Sequence, residues 1–158
     1  MRPLLLTLAA LLVCVFNSGC SSAKNTAKQN ILRVIRADEA LAKKRDALPA
    51  NSTPSQVAHT IGIYCAELEA LDMSDCPPEF RVAYRHHIGA WRELQAAVRE
   101  IPDGFWSQVF AGALNAWLRG EADGGTSRLE GGVNRALERI RDTWIEVERI
   151  AASYDAVL

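Results

Sequence analysis

The side chains best suited to chemistry near neutral pH are three histidines, and one of them is distinguished by its position. His87 falls between Tyr84 and Trp91 in a stretch whose apolar residues recur four and three apart. A polar ring on such a stripe faces the interior, where leaving it unpaired costs roughly 1–3 kcal/mol. It is therefore either a core histidine bonded to a tyrosine, an acid or the backbone, or a ligand. The ligand reading is haem or metal held between facing helices of a four-helix bundle. His59, His86 and Met73 are the other candidates, and Met73 or His59 could complete an axial pair. No Cys-x-x-Cys-His occurs, which excludes covalent c-type haem on motif grounds. There is no Gly-x-Ser-x-Gly, no His-Glu-x-x-His and no phosphate-binding glycine loop. Glu67, Glu69, Glu93 and Glu100 intermingle with Arg81, Arg85, Arg92 and Arg99, as on solvated helix faces. The expectation is a protein without catalytic activity and without a cofactor, with a haem, metal or small-ligand site at His87 as the alternative.

The chain opens with Met1 and Arg2, an uncharged and mostly apolar run from Leu4 to Phe16, and then Asn17-Ser18-Gly19-Cys20-Ser21-Ser22. The run is shorter than the roughly 20 apolar residues a membrane-spanning helix needs and fits the roughly 7–15 of a signal-peptide core. Ser18-Gly19-Cys20 resembles the end of a bacterial lipobox, with Asn17 where that motif usually carries leucine. The resemblance to bacterial lipoprotein precursors covers the signal segment only. It implies lipid on Cys20, removal of the preceding residues, and a protein held on the periplasmic or outer face of a membrane. Ser21 after the cysteine implies outer-membrane sorting where the cell has an outer membrane. The alternative is cleavage after Ser21-Ser22-Ala23, which would discard Cys20.

This address organises the cysteines. Cys14 lies in the segment to be removed and Cys20 would carry lipid, which leaves Cys65 and Cys76 as an even pair in a compartment that permits disulfides. A bridge between them is expected, with two buried thiols as the alternative. The bridge requires Met73 to Asp75 to fold back or the preceding helix to end early, because Cys65 lies about two turns before that helix's expected end.

Removing residues 1–20 would take one of the 18 basic residues and none of the 19 acids. No basic patch is left, so nucleic acid is not an expected partner. The length suits a single domain, and no period-two alternation of apolar residues is present. The fold expected is all-α, an antiparallel helical bundle of three long seam helices with an N-terminal helix and an apolar helix at 105–118. The layout is an export signal at 1–20, a small polar tether at 21–29 and one helical domain at 30–158. The first helix is placed from about Asn30 to Leu48, with Ile31, Val34, Ile35, Leu41 and Leu48 on one face, and is stopped by Pro49. Thr53-Pro54-Ser55-Gln56 is a capping box with proline at the first helical position. It starts a helix with Val57, Ile61, Tyr64, Leu68 and Leu71 on its seam. Pro77-Pro78-Glu79 opens the third, whose seam runs Phe80, Tyr84, His87, Trp91, Leu94, Val98 and Ile101. The last begins near Ser127, with Glu130 at capping-box spacing. It carries Val133, Leu137, Ile140, Trp144, Val147, Ala151, Tyr154 and Leu158 on its seam.

Residues 105–118 carry no charge. Trp106, Phe110, Ala113 and Trp117 form one stripe, and Phe105, Val109, Leu114 and Leu118 cover much of the remaining surface. Such a helix is buried, or it faces lipid, a partner or a second copy. A glycine-rich loop follows at 120–126, so a helix and loop lying over an apolar groove is a specific expectation. Two functional classes emerge. One is a lipid-anchored envelope protein with an interaction or structural role, whose partners are the membrane and an envelope protein or another copy of itself. The other is a bundle that binds haem, metal or a small ligand at His87.

Overall fold

The protein, in a computed structural model, is described over residues 3–49, 52–101, 114, 116, 117 and 131–157, with side chains from residue 22 onward. Four helices account for most of these residues: α1 (Pro3–Asp46), α2 (Pro54–Glu69), α3 (Pro78–Arg99) and α4 (Gly131–Ser153). No strand occurs among the described residues, and the fold is all-α. Among those residues no helix is long and apolar enough to cross a membrane.

The seams read from the sequence are the buried faces. Val57, Ile61, Tyr64 and Leu68 of α2 are buried, as are Phe80, Tyr84, His87, Trp91, Leu94 and Val98 of α3. Val133, Leu137, Ile140, Val147 and Ala151 supply the equivalent stripe of α4. Helix α3 lies between α2 and α4, and α1 packs against α2. Polar atoms specify the α2–α3 contact. The Gln95 amide donates to the Ala58 carbonyl at 3.1 Å, and Arg92 donates to Gln95 Oε1 at 3.1 Å. Gly62 makes room for this, because a Cβ there would stand 2.3 Å from Gln95 Nε2.

The helix ends follow local chemistry. The Thr53 hydroxyl accepts from the Gln56 amide at 3.3 Å, and Gln56 Oε1 accepts from the Thr53 amide at 2.8 Å. This is the reciprocal cap expected. Helix α4 ends in a Schellman turn. Asp155 adopts a left-handed φ of 58°, the Ala156 amide reaches back to the Ala151 carbonyl at 3.0 Å, and the Asp155 amide reaches that of Ala152 at 2.9 Å.

Two sequence expectations need correction. Residues 21–29 are helical and continuous with α1, which begins at Pro3 rather than near Asn30. Ala23, Lys24, Ala27, Lys28 and Gln29 favour helix. The segment also has tertiary partners: Lys24 pairs with Asp155 at 2.9 Å, and Ala23 and Ala27 line a cavity with Cys76 and Tyr154. The second correction concerns the disulfide. Cys65 and Cys76 are both buried free thiols. Helix α2 neither ends early nor folds back. It runs past Cys65 to Glu69 with its cap at Ala70, and a turn in which the Cys76 amide bonds the Met73 carbonyl directs Cys76 toward residues 23–27 of α1. The capping pair Ser127 and Glu130 and the loop at 120–126 lie outside the described residues, as do Phe105, Trp106, Val109, Phe110 and Leu118.

Candidate functional site

Three buried polar residues, Asp38, Arg45 and His87, converge on one cleft. Asp38 and Arg45 come from the C-terminal half of α1, Tyr64 from α2, His87 and Trp91 from α3, and Ile140, Arg141 and Trp144 from α4. With Trp117 they line a space of 420 Å³, within the roughly 300–1,000 Å³ usual for small-molecule sites.

Asp38 is 4 % exposed. The Tyr64 hydroxyl donates to its Oδ1, and the Tyr84 hydroxyl donates to its Oδ2 at 2.9 Å. Burial pushes the Asp38 carboxyl above its usual range, against the two tyrosine hydrogen bonds and the positive charge of Arg45. Burial, reinforced by the Asp38 charge, also drives both tyrosine hydroxyls far up, so neither ionises.

Arg45 lies in the last turn of α1, where a cation suits the negative end of the helix dipole. It is 7 % exposed. Its guanidinium lies over the rings of Trp91, 4.3 Å from the centroid, and Tyr64, 4.7 Å away, a cation–π arrangement that gains strength when desolvated. Those rings meet edge to face at 5.1 Å.

His87 is buried with both nitrogens committed. The Trp91 indole N–H donates to Nε2 at 3.0 Å, which places the imidazole proton on Nδ1. That proton faces Thr143 Oγ1 at 3.1 Å. The Thr143 hydroxyl donates to the α4 backbone, 2.8 Å from the Arg139 carbonyl and 3.0 Å from that of Ile140. Burial lowers the His87 pKa to about 4, so the ring is neutral and a satisfied member of the core. A metal or haem iron would have to displace Trp91 from Nε2. Among the described residues no group of three or more His, Cys, Asp or Glu is arranged to hold a metal ion.

The other candidates lie apart from this cleft. His59 and His86 are exposed. Met73 lines a different cavity with Glu69, Arg81 and Arg85. The Cys65 thiol is pushed up to about 11 by burial, and Cys76 is raised for the same reason, so both are held protonated. Of the apolar segment, Leu114 is completely buried. Trp117 is half-buried and meets Trp91 edge to face at 6.3 Å. Cys20 belongs to α1.

Sequence reasoning placed His87 and the aromatic stripe but missed Asp38 and Arg45. A signal for them existed. Ile31, Asp38 and Arg45 repeat every seven residues, so both polar residues occupy the seam defined by Ile31 and Val34. Comparison with protein-family models, curated proteins and solved structures finds no match to this chain.

Proposed function

We propose that the protein is an exported, lipid-anchored binding module of the cell envelope, an antiparallel helical bundle that captures a small aromatic ligand and performs no chemistry on it. The observation that carries the binding reading is the cleft between the helices, walled by Trp91, Trp117 and Trp144 and furnished with a few polar groups, the composition of a ligand site. The absence of catalysis is supported by the use already made of the reactive side chains. Asp38 is capped by two hydroxyls, His87 has no free nitrogen, and Cys65 is held as a thiol.

The order of helix contacts supports the antiparallel arrangement. Rising positions on α3 meet falling positions on α4: Glu79 with Tyr154, His87 with Thr143, and Glu93 with Arg139. The anchor rests on Ser18-Gly19-Cys20 after the apolar run. A triacylated Cys20 would exceed the two-signal requirement for stable attachment. Native and denaturing mass spectrometry of membrane-extracted protein tests both parts. The expected chain begins at a lipid-modified Cys20 and carries a ligand that is lost on denaturation. An unmodified chain overturns the anchor. A ligand-free chain that also ignores added aromatic fragments overturns the binding module.

A further inference from the structure

Resting on the reading of the cleft as a ligand site, we propose that Arg45 is its anion receptor and that the ligand is a planar aromatic carboxylate. The Arg45 side chain is nine-tenths buried yet makes little use of its hydrogen-bonding edge. Nε donates to Asp46 Oδ1 at 2.8 Å, whereas the Nη groups have no hydrogen-bond acceptor among the described residues. The group is fixed instead by its face, against Trp91 and Tyr64. Stacking of this kind holds a guanidinium still while leaving its forked N–H donors free, and that fork matches the two oxygens of a carboxylate. Arg45 lines the cleft, so these donors stand open to a ligand that brings acceptors.

The rest of the cleft decides what carries them. Trp117, Ile140 and Trp144 offer apolar and aromatic surface beside Arg45, suited to a flat ring rather than a bare inorganic anion. Arg141 adds a second positive group at the exposed side, its pairing to Asp142 a loose 3.6 Å between two exposed side chains. Of the two lining acids, Glu39 is exposed. Asp38 has both oxygens occupied by tyrosine hydroxyls. A cationic ligand would instead have to displace Arg45 from the aromatic faces it already covers.

Isothermal titration of the full chain in detergent with indole-3-acetate, its neutral amide and tryptamine tests the assignment. The acid is expected to bind at least about tenfold more tightly than the amide, the scale of a charge-assisted hydrogen-bonded pair, and tryptamine most weakly. Arg45→Met is expected to abolish the acid's advantage over the amide, and an undiminished preference for the acid would overturn the assignment. Equal binding of acid and amide by the unmodified protein overturns the role of Arg45 and leaves the cleft as a ligand site. Failure of all three to bind removes the cleft reading as well. Should Arg45→Met fail to fold, the acid–amide comparison on the unmodified protein decides, and Arg141→Gln is expected to weaken the acid selectively.

Discussion

At the scale of single residues, the interior polar groups divide by how completely they are used. His87 is fully used, and its low pKa gives the fold a pH dependence. An unfolded imidazole takes up its proton as pH falls through 6.5, whereas the folded one resists until about 4. The stability contributed by neutral His87 is therefore full above pH 6.5 and lost progressively as pH falls toward 4. The loss amounts to about 3 kcal/mol over that window. Asp38 acts in the opposite sense, because its raised carboxyl lets the folded state take up a proton first. Urea unfolding of the unmodified protein and of His87→Gln at pH 7.5, 6 and 5 separates the two. The difference between the proteins is expected to shrink as pH falls, and a constant difference would refute the neutral buried ring. Asp38→Ala leaves the Tyr64 and Tyr84 hydroxyls buried without their acceptor and should cost roughly 2–4 kcal/mol, read as a lower urea midpoint. Asp38→Asn keeps acceptor oxygen for one hydroxyl and should cost less. His87 could be placed from sequence because apolar neighbours at four-three spacing bracket it. Its partner Thr143 could not, since it lies 56 residues away on another helix.

At the scale of elements, the starts of α2 and α3, their adjacency and the buried faces were legible, while the start of α1 and the packing of α3 against α4 were not. Thr53, Pro54 and Gln56 announce the start of α2 through purely local bonds, and Thr53→Ala is expected to lower stability by about 1 kcal/mol in chemical unfolding. The end of α4 was harder to read, because the left-handed position that usually holds glycine holds Asp155. Asp155→Gly should relieve that conformation, with a gain of up to about 1 kcal/mol set against the loss of an exposed ion pair with Lys24. Such a pair contributes roughly 0–1 kcal/mol, so the net change should lie between zero and a small rise in Tm. The disulfide expectation failed at this scale. An even pair of cysteines in an exported chain says nothing about the level at which each meets its neighbours, and α2 extends past Cys65 while the following turn directs Cys76 toward α1. Thiol titration of the unfolded mature chain without reductant should count both Cys65 and Cys76 as free.

At the scale of the whole molecule, the extension of α1 through residues 21–29 changes how an anchored bundle would stand. A loose tether would let the domain swing. A helical segment held by Lys24 to Asp155 and by Asn30 to the Asp75 carbonyl at 3.0 Å places the α2–α3 turn and the end of α4 beside the start of the domain. Cys20 lies four residues before Lys24, roughly 6 Å along the helix axis, so lipid there would hold this end of the bundle close to the membrane. Cys20→Ala is expected to move the protein from the membrane fraction to the soluble one. We propose that the tryptophan-walled cleft takes a small aromatic ligand. The most direct measurement is the set of indole N–H resonances of Trp91, Trp117 and Trp144 during titration with neutral and acidic aromatic fragments. Saturable shifts at Trp117 and Trp144, with Trp91 held by its bond to His87 and moving least, are predicted. Indole resonances that stay fixed at millimolar fragment, whatever its charge, would contradict the account.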